Sequence, residues 1–169
     1  MLRPIVRFGS EGLTTPARTV EAVTPEIDQL VGDMVATMYA APGIGLAAPQ
    51  VGVPLRVCVI DLSAGARNAE VITLINPEFV EREGMQVEDE GCLSVPGFTA
   101  SVARPARAVV RALDRQGRPI TIEGTGLLAR ALQHELDHLD GTLFLDRLRG
   151  IKRDLIVRKI RKLEKSGRW

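Results

Sequence analysis

An α+β fold is what the 169-residue sequence predicts, and three observations predict it. A helical repeat of apolar residues stands early in the chain. Short β-branched segments divided by turns fill the middle, and helical repeats return at the end. Strands and helices nowhere alternate in the βαβ manner of a parallel sheet.

Each element has its own signals. Thr24-Pro25-Glu26 opens a helix with a capping hydroxyl, a proline at the first helical position and an acid in the first turn. Ile27, Leu30, Val31, Met34, Val35 and Met38 follow at helical spacing, with the two methionines read as core packing rather than a binding surface. The helix should stop at Ala41-Pro42-Gly43, because a residue before proline avoids helical geometry. Strands are expected at 56–60 and at 71–75, the second punctuated by Asn76-Pro77. Further strands at 108–113 and 119–122 flank a hairpin connection, Asp114 to Arg118. Leu127, Leu128, Ala131, Leu132 and Leu139 restore helical spacing up to Gly141, and a last helix covers about 149–165. No internal repeat or linker interrupts residues 1–169, so a single domain is expected.

Composition removes several classes of function. Net charge is +1, which names no partner, and 4% aromatic residues argue against a base-stacking nucleic-acid surface. Two distant cysteines make no disulfide framework; Cys58, inside an apolar strand, reads as core. No apolar run approaches the roughly 18 residues of a membrane span, and the first seven residues lack the pattern of a secretory signal. A reducing, cytoplasmic location is expected, with a processed organellar form as the alternative.

Both histidines of the chain lie in His134-Glu135-Leu136-Asp137-His138. On a helix, residues four apart share a face, so both imidazoles can reach one ion while the glutamate between them leans toward a water. This H-E-x-x-H spacing fits metal-dependent hydrolysis; the plain alternative is a solvated helix face. Two imidazoles leave coordination incomplete, and Cys92, flanked by glycine and proline in Glu90-Gly91-Cys92-Leu93-Ser94-Val95-Pro96-Gly97, is the candidate third ligand. A third unusual segment, Gly43 to Gln50, has small residues that let the backbone approach a ligand or another chain segment. It fits neither a dinucleotide fingerprint nor a P-loop.

Together these segments resemble the three signature motifs of bacterial-type peptide deformylases: G-x-G-L-A-A-x-Q at Gly43 to Gln50, E-G-C-L-S at Glu90 to Ser94, and H-E-x-D-H at His134 to His138. The likeness extends from Pro4-Ile5-Val6 to Gly141-Leu143-Phe144, nearly the whole chain. The resemblance implies small antiparallel sheets around a central helix that carries the HExxH motif. It implies that Cys92, His134 and His138 bind one divalent metal, ferrous iron (Fe2+) in the cell and Zn2+ or Ni2+ in some preparations. Glu135 would be the acid–base residue, with Gln50 and the Leu93 N–H stabilising the oxyanion. The substrates would be N-formylmethionyl peptides, which lose their formyl group as formate. Gly45 and Gly91 would offer backbone groups to a peptide bound as an added strand, and Ile44, Leu127 and Ala131 would form the methionine slot, with core packing as their plain alternative. Arg130 holds a pocket-edge position where some relatives carry an aliphatic residue, which leaves the outer substrate preference open. Glu90 and Arg104 form either a pair supporting the Cys92 loop or a surface ion pair.

Two rivals remain at this stage. A zinc endopeptidase would normally take a third ligand downstream, and no third histidine exists. A ribosome-associated protein without activity would not need the complete motif set. The charge pattern adds one expectation of its own. Between Lys152 and Trp169 eight basic residues face two acidic ones, a net +6 within a chain of +1. Ile151, Leu155, Ile156, Ile160 and Leu163 are expected to anchor one face of this helix, leaving the basic side chains free to dock on ribosomal RNA.

Overall fold

The computed structural model describes residues 1–66 and 71–169. Thr24 caps helix α1 (Pro25–Ala40), its side chain accepting the Ile27 N–H at 3.4 Å. Strand β1 (Gly45–Ala47) follows, then a 3-10 turn at Ala48–Val51 and strand β2 (Val57–Ile60). The middle of the chain supplies β3 (Ile72–Glu83), β4 (Gln86–Gly91), β5 (Thr99–Arg104), β6 (Arg107–Leu113) and β7 (Pro119–Thr125). Helix α2 (Gly126–Leu139), a 3-10 turn at Phe144–Arg147 and helix α3 (Lys152–Lys165) complete the order. All strand pairings are antiparallel: one sheet runs β1-β2-β3-β6-β7, and β4 and β5 form a second, two-stranded sheet.

Strand β2 shows why the site sits where it does. Alternate residues of a strand face opposite sides. Val57 and Val59 pack with Val31, Met34 and Met38 of α1, while Cys58 and Ile60 pack with Leu132, Leu136 and Leu139 of α2. The larger sheet is therefore covered by a helix on each face, and α2 crosses it against β1, β2, β6 and β7. Cys58, Met34 and Met38 are core residues, as their patterns imply.

Two expectations need correction. Asn76-Pro77 does not end a strand; β3 runs through it with a register shift between Ile75 and Glu78. The bulge tolerates the proline, and Asn76, at a φ of 52°, turns its amide onto the Val20 backbone, donating to the carbonyl and accepting from the N–H, both at 2.8 Å. The last helix begins at Lys152, and Ile151 and Leu155 do not anchor it, being 69% and 46% exposed. Ile160 is buried and Ile156 and Leu163 half-buried, as expected, and Val157 joins them; Ile160 and Ile156 pack with Phe144, Leu145, Val95 and Val102. The first turn, with Ile151 and Leu155, stays exposed because the apolar neighbours Phe144, Leu145, Val95 and Val102 meet the helix at Ile156 and Ile160.

Candidate metal centre

Two chain segments meet to build the site. Cys92 follows β4 directly, in a tight turn closed by the Val95 N–H on the Cys92 carbonyl at 3.0 Å. His134, Glu135 and His138 stand on one face of α2 and are buried. The His138 Nε2 lies 3.3 Å from the Cys92 Sγ and 3.2 Å from the His134 Nε2, and all three donor atoms lie within 4.8 Å of one another. A tetrahedral ion with bonds of about 2.3 Å to sulfur and about 2.05 Å to nitrogen needs donor separations of roughly 3.3 to 3.6 Å. The two separations from His138 match that ion closely, and the third stays within 4.8 Å. Among the described residues the trio is the one such group of three histidine, cysteine or acidic side chains.

A network of buried charges surrounds the trio. His134 Nδ1 is 2.5 Å from Glu90 Oε1, which leaves Nε2 as the donor toward the ion. Arg104 takes both Glu90 oxygens, at 2.6 and 2.8 Å, and reaches Asp137 at 2.9 Å. Arg147, itself exposed, grips both Asp137 oxygens from the surface side, at 2.7 and 3.1 Å. Glu90 and Arg104 are thus a buried pair, not a surface one. Arg147 and Asp137 belong to the same network, which no spacing in the sequence announced.

These contacts set the protonation states. Burial raises the Glu90 carboxyl, but Arg104 and His134 outweigh it and hold the group well below the usual carboxylate range. Burial lowers His134, yet its hydrogen bonds to Cys92 and Glu90 and the charge of Glu135 win and raise it: the pocket favours positive charge at this point. Burial and the neighbouring His134 lower His138. Burial pushes the Glu135 carboxyl up to about 7, against the opposing pull of His134. The Glu135 Oε2 is buried with no hydrogen-bond partner among the described residues. A carboxylate so placed is suited to a water or a substrate proton.

The glycine-rich segment is explained by close approach of other chain segments. A β-carbon on Gly45 would sit 2.4 Å from the Glu135 Oε1, and one on Gly43 would sit 2.7 Å from a methyl carbon of Leu93. Both glycines make room for site residues. Gln50 is fixed by its Oε1, which accepts the Ala47 N–H at 2.9 Å, while its Nε2 donates to Ser94 Oγ at 3.1 Å and points at the Cys92 sulfur 3.6 Å away.

A cleft of about 1040 Å3 opens onto these groups. Ile44, Gly45, Gln50, Gly91, Cys92, Leu93, Leu127, Ala131, His134 and Glu135 all line it, so the cleft brings together each expected site residue except His138, which lies behind. Sequence reasoning missed the opposite wall. Ile5 and Arg7 line it, as does Arg3, held to α1 through Asp33 at 3.0 Å and Thr37 at 2.9 Å. Phe98, also in the wall, packs edge-on against Trp169. Nothing in the local pattern of an extended N-terminal segment marks it as part of a cleft formed by distant elements.

Comparison with known proteins gives one consistent result. The profile of the polypeptide deformylase family matches residues 2–154. A peptide deformylase of Acidobacterium capsulatum is 48% identical over 169 residues, covering 100% of this chain and 99% of the relative. The crystal structure of a peptide deformylase from Legionella pneumophila superposes with a TM-score of 0.92 at 44% identity, covering 99% of this chain and 98% of that one. A peptide deformylase from Synechococcus elongatus, crystallised in complex with actinonin, superposes with a TM-score of 0.87 at 41% identity, covering 96% and 86%.

Proposed function

The chain belongs to the peptide deformylase family, metal-dependent hydrolases that remove the N-formyl group from peptides, and from that premise we propose how its own residues divide the work. Residues 1–169 act as one catalytic domain. Cys92, His134 and His138 hold the metal, Glu135 moves protons, and Gln50 with the Leu93 N–H receives the charge that develops on the formyl oxygen. One observation carries this reading: a thiol and two imidazoles with donor atoms within 4.8 Å of one another stand beside a buried carboxylate whose Oε2 has no partner among the described residues. When bound, a divalent ion supplies Lewis acidity, acidifying a water and polarising the carbonyl.

Glu135 takes a proton from the attacking water and later delivers it to the departing amine nitrogen. Its burial raises its proton affinity to the neutral range, where it can do both. The tetrahedral adduct carries a negative oxygen. Ala47 and Ser94 orient the Gln50 amide, which leaves the N–H that points toward the Cys92 sulfur to meet that charge. The methionine side chain enters the slot of Ile44, Leu127 and Ala131, and the peptide backbone pairs beside Gly45 and Gly91 as an added strand. A thiolate among the donors suits Fe2+ or Zn2+ and disfavours magnesium or calcium; ferrous iron is the proposed metal in the cell. The decisive experiment is release of formate from formyl-Met-Ala by anaerobically purified protein, with metal measured on the same sample. Turnover proportional to bound metal, with no cleavage of an internally blocked peptide, supports the assignment. Cleavage of the blocked peptide would make the chain an endopeptidase instead.

The proposed location is the cytoplasm, and the proposed partner is the ribosome, reached through α3. Two facts support this: both cysteines are free, and none of the described helices is long and apolar enough to cross a membrane. Lys152, Arg158, Lys159, Arg161, Lys162, Lys165 and Arg168 are exposed on or just beyond α3, beside exposed Ile151 and Leu155. Phosphate contacts of this kind weaken steeply with salt. Removing the helix would strip Ile160 from its place against Phe144, so charge exchange is the cleaner test. Lys159→Glu with Lys162→Glu should lower ribosome co-sedimentation at low salt and leave hydrolysis of formyl-Met-Ala intact. Equal co-sedimentation of the folded variant would remove the ribosome from this reading.

A further inference from the structure

The metal donors come from two elements that share no hydrogen-bonded ladder: Cys92 at the end of β4, and the histidine pair on α2. Side chains must therefore fix the distance between them. Arg104, based on β5, reaches α2 through Asp137. The reverse connection is made by Arg130, based on α2 one turn before His134 and 4% exposed. Its Nη1 donates to Glu90 Oε2 at 2.5 Å and its Nε to Gln86 Oε1 at 3.2 Å, both on β4, while its Nη2 donates to the Val102 carbonyl on β5 at 2.8 Å. All three guanidinium nitrogens are thus spent on the hairpin that carries Cys92.

Charge balance does not require this residue. Glu90 already has the two-point grip of Arg104 and the contact from His134. Its loss would cost stability, since Glu90, Gln86 and the Val102 carbonyl would each lose a donor, but Glu90 would keep Arg104 as its counter-charge. What the planar fork supplies is direction: three fixed donors that tie two strands to one helix. The same Glu90 carboxylate that Arg130 holds also orients His134. The stem of Arg130 meanwhile lies in the cleft wall beside Leu127 and Ala131, with its charge spent on the hairpin.

We propose that Arg130 is a positioning residue that clamps the Cys92 hairpin to the histidine helix, holding sulfur and imidazole donors at metal-binding separation. The inference rests on the metal-site assignment made above, and the test separates the two. The protein is loaded anaerobically with Co2+, and the visible cobalt–thiolate absorption reports both the geometry of the site and the rate of metal loss to excess chelator. The same measurements are made on Arg130→Met and Arg130→Lys, with thermal unfolding recorded for each. Loss of a group that orients a ligand typically weakens metal binding about 10–100-fold. Folded Arg130→Met should release Co2+ at least about 10-fold faster, with shifted absorption bands. Arg130→Lys, which retains the charge but not the fork, should also release it faster, and this second variant carries the test if the first does not fold. A normal band in the wild-type protein with unchanged spectra and release rates in folded variants would overturn the clamp alone. Absence of a cobalt–thiolate band in the wild-type protein would overturn the metal assignment and the clamp with it.

Discussion

Helices α2 and α3 are both 14 residues long, yet they treat their charges in opposite ways. In α2, Arg130, Gln133, His134, Glu135, Asp137 and His138 are buried. In α3 the buried residues are Val157 and Ile160, and the charged side chains point mainly to solvent. A buried charge is tolerated only where a partner compensates its lost hydration. Arg130 has Glu90, Asp137 has Arg104 and Arg147, and His134 has Glu90. Glu135 breaks the pattern, with a carboxylate oxygen that has no partner among the described residues. Chemistry belongs at such an exception, whereas the uniform basic surface of α3 offers only attraction.

Changes that remove partners from α2 should test this contrast most severely. The largest effect is expected from the donors: Cys92→Ala or His134→Ala should lose tightly bound metal and nearly all formate release, while Lys159→Ala on α3 changes neither. Metal content by mass spectrometry and turnover of formyl-Met-Ala check this pair. A fully active Cys92→Ala protein would make the donor set wrong.

Glu90→Ala comes next, because it leaves Arg104 and Arg130 buried without their shared counter-charge. Removing one partner of a buried ion pair costs about 3–5 kcal/mol, which urea unfolding would read directly. Within α3 the comparison sharpens. Ile160→Ala should cost about 2–5 kcal/mol because the side chain is fully buried. Leu155→Ala should stay within about 0.5 kcal/mol. Equal costs at the two positions would return the helix to the face its simple repeat implied.

The smallest expected effect concerns pH. A base works when ionised, so the rate should rise from acid toward neutral pH as Glu135 loses its proton. Burial places that carboxyl at about 7, and a cation beside it favours the charged form and draws the midpoint lower. In the metal-loaded enzyme the acid limb should therefore have its midpoint below about 7. A rate flat between about pH 5 and 8, measured where the chemical step limits turnover, would take the proton-transfer role from Glu135.

How much of this was legible depended on whether the deciding interactions were local. The cap at Thr24, the stop after Ala40 and the turn from Asp114 to Arg118 follow from neighbouring residues, and they stand where expected. The donor trio was legible because two ligands share one helix turn and the third lies in a recognisable loop. The run through Asn76-Pro77 was hidden because Asn76 is held by Val20, 56 residues away in sequence. The role of Gly45 was half visible: its smallness predicted a close approach, but only the fold reveals Glu135 as the neighbour. Arg130 could be placed at the pocket edge but not in the charge network, and Arg147 not at all, since an arginine's partners on other elements leave no mark in its local sequence. The buried face of α3 departs from the expected one only at Ile151, Leu155 and Val157, for the same reason: Phe144 and Val102, not the helix itself, choose which residues go inside.

The division of labour between Glu135 and the three donors is the centre of this account, and one variant tests it most directly. Glu135→Gln keeps the shape of the side chain but cannot accept a proton as a carboxylate does. Metal stoichiometry and formate release from formyl-Met-Ala should be measured on a single anaerobic preparation. The account predicts metal bound as in the wild-type protein and a rate reduced by about 10²–10⁴-fold. Near-native turnover with the metal in place would contradict it.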